Sequence, residues 1–81
     1  MKKYPIVEVE WTDSGLTRGW QNYREHRDAG LCEVQTAGYL LKSDRKKVVV
    51  GLSIDYPNGI VGDSITIPRS VVKKIRRLVD K

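Results

Sequence analysis

The sequence predicts a small, mostly β domain of the α+β class. The expected form is a strongly bent antiparallel sheet or an SH3/Sm-like barrel of four to five strands, with a C-terminal amphipathic helix. Three observations predict it. Segments 6–11 and 47–55 alternate apolar and polar residues with the period of a half-buried strand. Short Gly-, Asn- and Asp-containing breaks separate four strand-like runs at close spacing. Residues 68–80 then switch to helical spacing. An open four-stranded sheet with the helix on one face is the alternative arrangement.

The first strand is Ile6-Val7-Glu8-Val9-Glu10-Trp11, with Val7, Val9 and Trp11 on one face; Asp13-Ser14-Gly15 ends it. Residues 16–30 are the least regular part. Gly19 to Asp28 reads either as a short helix or 3₁₀ turn, with Gly30 as its stop, or as an ordered loop. Leu31 to Lys42 is the second strand, and the change of phase at Gly38 predicts a bulge or sharp bend. Ser43-Asp44-Arg45-Lys46 is a polar turn. Lys47 to Asp55 is the clearest strand, with Val48, Val50, Leu52 and Ile54 on one face. Tyr56-Pro57-Asn58-Gly59 is a strong turn signal. Ile60 to Ile67 is the fourth strand, and Pro68 sits where the first helical residue belongs. Val71, Val72, Ile75, Leu78 and Val79 fall on one stripe of a helix over 68–80, with Arg69, Lys73, Arg76 and Arg77 opposite.

At 81 residues the chain is one domain with a small core. No apolar run approaches the roughly 18 residues of a membrane span, and the two lysines near the start precede no apolar stretch, so neither an anchor nor a secretory signal is expected. Cys32 is the sole cysteine. It forms no internal disulfide, a cytoplasmic setting is the simplest expectation, and it is expected to face the interior as a small apolar residue.

The formal charge of +5 lies wholly in residues 69–81, where six cations meet one aspartate, whereas residues 1–68 hold nine of each sign. Clustered cations mark a surface that meets an anionic partner. Arg69, Lys73, Lys74, Arg76, Arg77 and Lys81 are therefore the candidate contacts to nucleic acid or an acidic protein, through phosphates rather than base edges. The plainer account is the solvated side of an amphipathic helix. The second candidate is the loop bearing Trp20, Tyr23, Arg24, His26 and Arg27, which combines stacking surfaces with donors; in the plainer account its aromatics pack on the sheet. Asp13, Asp44, Asp55 and Asp63 all fall at strand ends or turns, where aspartate bonds its own backbone. Asp55 and Asp63 are the one pair that the 56–62 loop could bring together for metal or acid–base chemistry.

With one His, one Cys and no glycine-rich phosphate loop, no enzyme, cofactor or metal is expected. A non-enzymatic module that binds nucleic acid, or a complex containing it, through the basic helix is the leading expectation. A protein that binds and modulates a host protein, and a nucleotide- or small-molecule-sequestering protein using Trp20, Tyr23 and Arg24, are the alternatives. A homodimer or higher homo-oligomer is compatible with the small core.

Two resemblances add to this. Asp63-Ser64-Ile65-Thr66-Ile67-Pro68-Arg69-Ser70-Val71 resembles the strand-to-helix motif of AbrB/MazE-type DNA-binding proteins. In that family further strands complete a swapped-hairpin dimer, and here they do not follow, so no DNA contact is carried over. Val9-Glu10-Trp11-Thr12-Asp13, Gly19-Trp20, Val34 to Leu41 and Ile67-Pro68 together resemble a loose group of small uncharacterised proteins encoded by phages and prophages. That resemblance implies a mobile-element origin and a role in binding a host component.

Overall fold

The computed structural model describes residues 3–78. It has the order β1 (Ile6–Asp13), α1 (Tyr23–Arg27), β2 (Cys32–Ser43), β3 (Lys47–Asp55), β4 (Ile60–Pro68), a 3₁₀ turn (Arg69–Val71) and β5 (Val72–Arg77). The strands form one five-stranded antiparallel sheet in the order β4-β3-β2-β1-β5. The sheet is not closed, because β4 and β5 are its two edges. Among the described residues no helix is long and apolar enough to cross a membrane.

β2 makes the sheet fold over on itself. Its residues Cys32–Tyr39 pair with β1, and Tyr39–Ser43 pair with β3, so the two neighbours flank different halves of one strand. The first leaf is β5, β1 and the first half of β2; the second is the rest of β2, β3 and β4. The bend lies where the sequence loses its phase. Leu41 is an extra residue between the pairs Leu40–Val50 and Lys42–Val49, a bulge that increases local twist. Gly38 permits the fold-over, because a Cβ there would stand 2.5 Å from the Gly51 carbonyl oxygen and 2.8 Å from Val50 Cγ1. Gly38→Ala is expected to lower stability by about 1–3 kcal/mol, as overpacking against backbone does, and urea denaturation reads the loss.

The core sits between the leaves. Val7, Val9 and Trp11 of β1 meet Val48 and Val50 of β3 and Ile67 of β4, all buried. Val34, Leu40, Ile65, Val71, Val72 and Ile75 pack around them. The Trp11 indole N–H is not left unpaired: it donates to Thr36 Oγ1 at 2.9 Å. The Tyr56–Gly59 turn forms as expected, with Gly59 at φ 66° and its N–H donating to the Tyr56 carbonyl at 3.2 Å.

The expected helix over 68–80 is corrected. Pro68 ends β4, one 3₁₀ turn follows, and residues 72–77 form a strand along β1; residues 79–81, with Val79 and Lys81, lie outside the described residues. The apolar spacing misleads because β5 carries a bulge. Trp11 pairs with Val72 and Glu10 with Lys74, leaving Lys73 as the extra residue. One inserted residue resets the two-residue alternation, so Val72 and Ile75, three apart, both face the core. The edge of β1 offers unpaired backbone groups, and β-branched Val72 and Ile75 suit a pleated surface better than a helix.

Two further expectations change. Cys32 is exposed: it shares its side of β2 with Val34, but it is the first residue of the strand, beyond the reach of the core. Leu52 shares a face with Val48 and Val50 as expected, yet it is 65% exposed, because β3 has left β2 by that point.

Candidate functional site: a cationic turn

Strand pairing sets three of the four cations of β5 against carboxylates. Arg76 Nε lies 3.1 Å from Glu8 Oε1 and Lys73 Nζ 3.0 Å from Glu33 Oε1. Lys74 stands in register with Glu10. The hydrogen bond from Lys73 holds the Glu33 carboxyl below its usual range, and the Thr12 hydroxyl donates to the same group. The four cations of β5 (Lys73, Lys74, Arg76, Arg77) thus share the first leaf with four carboxylates, Glu8, Glu10, Asp13 and Glu33. These exposed pairs add little stability individually, but the formal charges of this leaf balance.

The uncompensated charge is at the other end of β2. The β2–β3 turn carries Lys42, Arg45, Lys46 and Lys47, and Arg69 is brought against it: five exposed cations beside one carboxylate, Asp44. Asp44 shapes the turn. Its Oδ1 accepts from the Lys46 and Lys47 N–H groups at 2.8 and 2.9 Å, and its own N–H donates to the Lys47 carbonyl at 3.0 Å. This Asx-type turn forces the tip residues Arg45 and Lys46 outward. Arg69, the first residue after β4, is docked by two bonds. Its N–H donates to the Lys46 carbonyl at 2.9 Å and its Nη1 donates to Ser43 Oγ at 2.7 Å. Ser43, Asp44, Arg45 and Arg69 line a surface hollow of about 440 Å³. Of the five cations expected to form the site that are among the described residues (Arg69, Lys73, Lys74, Arg76 and Arg77), only Arg69 lies here; Lys81 is outside the described residues. Arg45 and Lys46 read in sequence as part of a polar turn, and Lys42 and Lys47 as the strand ends beside it, although four cations in six residues were the available signal.

The N–H groups of Lys47 and Lys46 hold the Asp44 carboxyl below the usual aspartate range. A carboxyl lowered in the folded state contributes stability above its unfolded value, and the contribution disappears as pH falls through its folded value. The melting temperature should therefore fall on acidification from the ordinary aspartate range downward, and by less in Asp44→Asn. Parallel acid profiles for the two proteins would count against this role of Asp44.

The aromatic excursion between β1 and β2 is open to solvent. α1 covers only residues 23–27, capped by Asn22 Oδ1, which accepts from the Glu25 N–H at 3.0 Å, and it buries nothing. Trp20 is fully exposed and Tyr23 nearly so, which corrects the expectation that they pack on the sheet. Gly19, Trp20, Gln21, Tyr23 and His26 line a hollow of about 540 Å³. His26 Nε2 lies 3.2 Å from the Gly19 carbonyl. The Arg27 guanidinium stands 5.6 Å from the Tyr23 ring centre and 2.9 Å from Asp28. Arg24 lies on α1 and is exposed.

Asp55 is a turn residue whose carboxylate takes the Asn58 side-chain amide at 2.9 Å. Asp63 has φ 61° on β4. Among the described residues no group of three or more His, Cys, Asp and Glu is placed to hold a metal ion. Compared with protein-family models, curated proteins and solved structures, the chain matches none.

Proposed function

We propose that this protein is a non-enzymatic binding module, an open SH3-type barrel that holds the phosphate backbone of nucleic acid at its β2–β3 turn. Three features of the connectivity support the barrel reading: a four-strand meander, a 3₁₀ turn, and a fifth strand returning to β1. One observation carries the function. Arg45, Lys46, Lys47, Lys42 and Arg69 converge on one end of the fold against a single carboxylate, while Lys73 and Arg76 of β5 are paired with Glu33 and Glu8, and Lys74 stands in register with Glu10. A compact set of exposed cations without base-reading groups recognises phosphates and not sequence.

Fluorescence anisotropy with single- and double-stranded oligonucleotides tests it. Four phosphate contacts give a fall in affinity on the order of a hundredfold between about 50 and 200 mM salt. No binding at low salt overturns the reading.

A second reading rests on the exposure of Leu16, Trp20, Tyr23 and Leu31 in the excursion: a protein that docks on a host protein through this loop. One dominant protein partner, captured by wild type after nuclease treatment and absent with Trp20→Ala, would favour it over nucleic acid.

A further inference from the structure

The excursion between β1 and β2 is braced, yet it holds its aromatics in solvent. Gly19 takes φ 90°, a left-handed backbone that favours glycine, and turns the chain into Trp20. Hydrogen bonds fix the segment on both sides of that residue. Gln21 Nε2 donates to the Arg18 carbonyl at 3.1 Å, and His26 Nε2 lies 3.2 Å from the Gly19 carbonyl. Asn22 caps α1, and its Nδ2 donates to Glu25 Oε1 at 3.3 Å. No residue covers Trp20, which is 104% exposed, and Tyr23 is 76% exposed although Arg27 stands over its ring. The fold spends local bonds on this loop and gains no buried aromatic surface from it.

The surroundings of the two rings select the ligand. Their hollow of about 540 Å³ is lined by two aromatic rings, an imidazole, an amide and a glycine backbone, all of them exposed. An aromatic anchor for a protein sits among neighbours that exclude water. Here the exposed Leu16 and Leu31 lie outside the hollow. Three arginines, Arg18, Arg24 and Arg27, share the segment with two carboxylates, and both acids are engaged within it, Glu25 by Asn22 and Asp28 by Arg27. Among the described residues neither Arg18 nor Arg24 is in an ion pair.

Rings open to solvent, polar groups at their edges and unpaired guanidinium groups beside them match the chemistry of an unpaired base and its phosphates. From this we infer that the excursion is a base-stacking platform and that the protein selects single-stranded nucleic acid. Trp20 and Tyr23 stack bases, and Arg18 and Arg24 meet the flanking phosphates. In a duplex the faces of the bases are covered by their neighbours, so only a single strand reaches Trp20. This rests on the partner being nucleic acid, and names its form. The cationic turn holds phosphates of either form, and stacking adds the preference. The two surfaces are separable by substitution, because the excursion enters β2 at Cys32 and the turn leaves it after Ser43.

Anisotropy of the full chain with a labelled mixed-sequence strand of about 12 nucleotides, and with its duplex, tests it alongside tryptophan emission. The strand should bind at least about fivefold more tightly than the duplex. It should also quench the emission, because Trp20 is in solvent while Trp11 is buried. Trp20→Ala should weaken single-strand binding at least about fivefold and leave duplex binding unchanged. Trp20→Phe, which keeps a stacking ring, should keep most of the affinity and lose the quenching. Equal affinity for strand and duplex, unaltered in Trp20→Ala, overturns the inference and leaves phosphate binding at the turn standing. Single-strand binding that needs Trp20 but survives Arg45→Glu with Lys46→Glu keeps the platform and removes the turn. Capture of one protein by wild type and not by Trp20→Ala, with oligonucleotide binding equal in the two, overturns the inference in favour of a host protein. No binding of either oligonucleotide at low salt overturns both.

Discussion

Trp11→Ala is expected to remove about 3–5 kcal/mol of stability, the usual cost of truncating a buried aromatic. A chain of this length has a total of about 4–12 kcal/mol to lose, so the variant should be largely unfolded or melt far below wild type. Trp11 is 8% exposed, and its position explains the size of the effect. It is the largest residue of a six-residue core and stands where β5 and β2 both pair with β1, opposite Val72 and Val34. Its loss opens a cavity between the leaves and leaves the Thr36 hydroxyl without its indole partner. The measurement is urea denaturation followed by circular dichroism. The Trp20→Phe variant leaves Trp11 as sole tryptophan reporter and, being changed at an exposed site, should unfold like wild type. A loss below about 1 kcal/mol in Trp11→Ala would mean that the two leaves are not held by this side chain.

The second large effect concerns binding. Arg45→Glu with Lys46→Glu reverses both tip cations of the β2–β3 turn. It should weaken oligonucleotide binding more than tenfold at low salt and reduce the salt slope by about 0.9 for each phosphate that the turn no longer neutralises. Both side chains are exposed, so the fold should survive. The matched variant is Lys73→Gln with Arg76→Gln. These cations already face Glu33 and Glu8, and their removal should change affinity little. If the β5 variant abolishes binding and the turn variant keeps it, the anionic partner sits on β5, and the turn reading is wrong.

Much of the architecture is legible in local patterns. The alternation of Val7, Val9 and Trp11, and of Val48 and Val50, identifies strands and most of the core, because period-two burial is written in consecutive residues. The phase change at Gly38 marks the bend, and Tyr56 to Gly59 marks the hairpin. The candidate site is far less legible. Arg69 belongs to it only because β4 delivers it to the turn formed by Asp44, across a sequence separation of 26 residues from Ser43. The basic tail looks like the site because its partners Glu8, Glu10 and Glu33 lie far away in the chain.

The sequence by itself thus determined a small β-rich domain, four of its strands, its bend and its net positive charge. Each of these follows from neighbouring residues. Only the tertiary structure decided that residues 72–77 are a strand, which of Val48, Val50, Leu52 and Ile54 are covered, and where the charge remains uncompensated. Each depends on which backbone edge or carboxylate the fold brings alongside. Apolar spacing at 72 and 75 satisfies a helix and a bulged strand equally, and the open edge of β1 selects the strand.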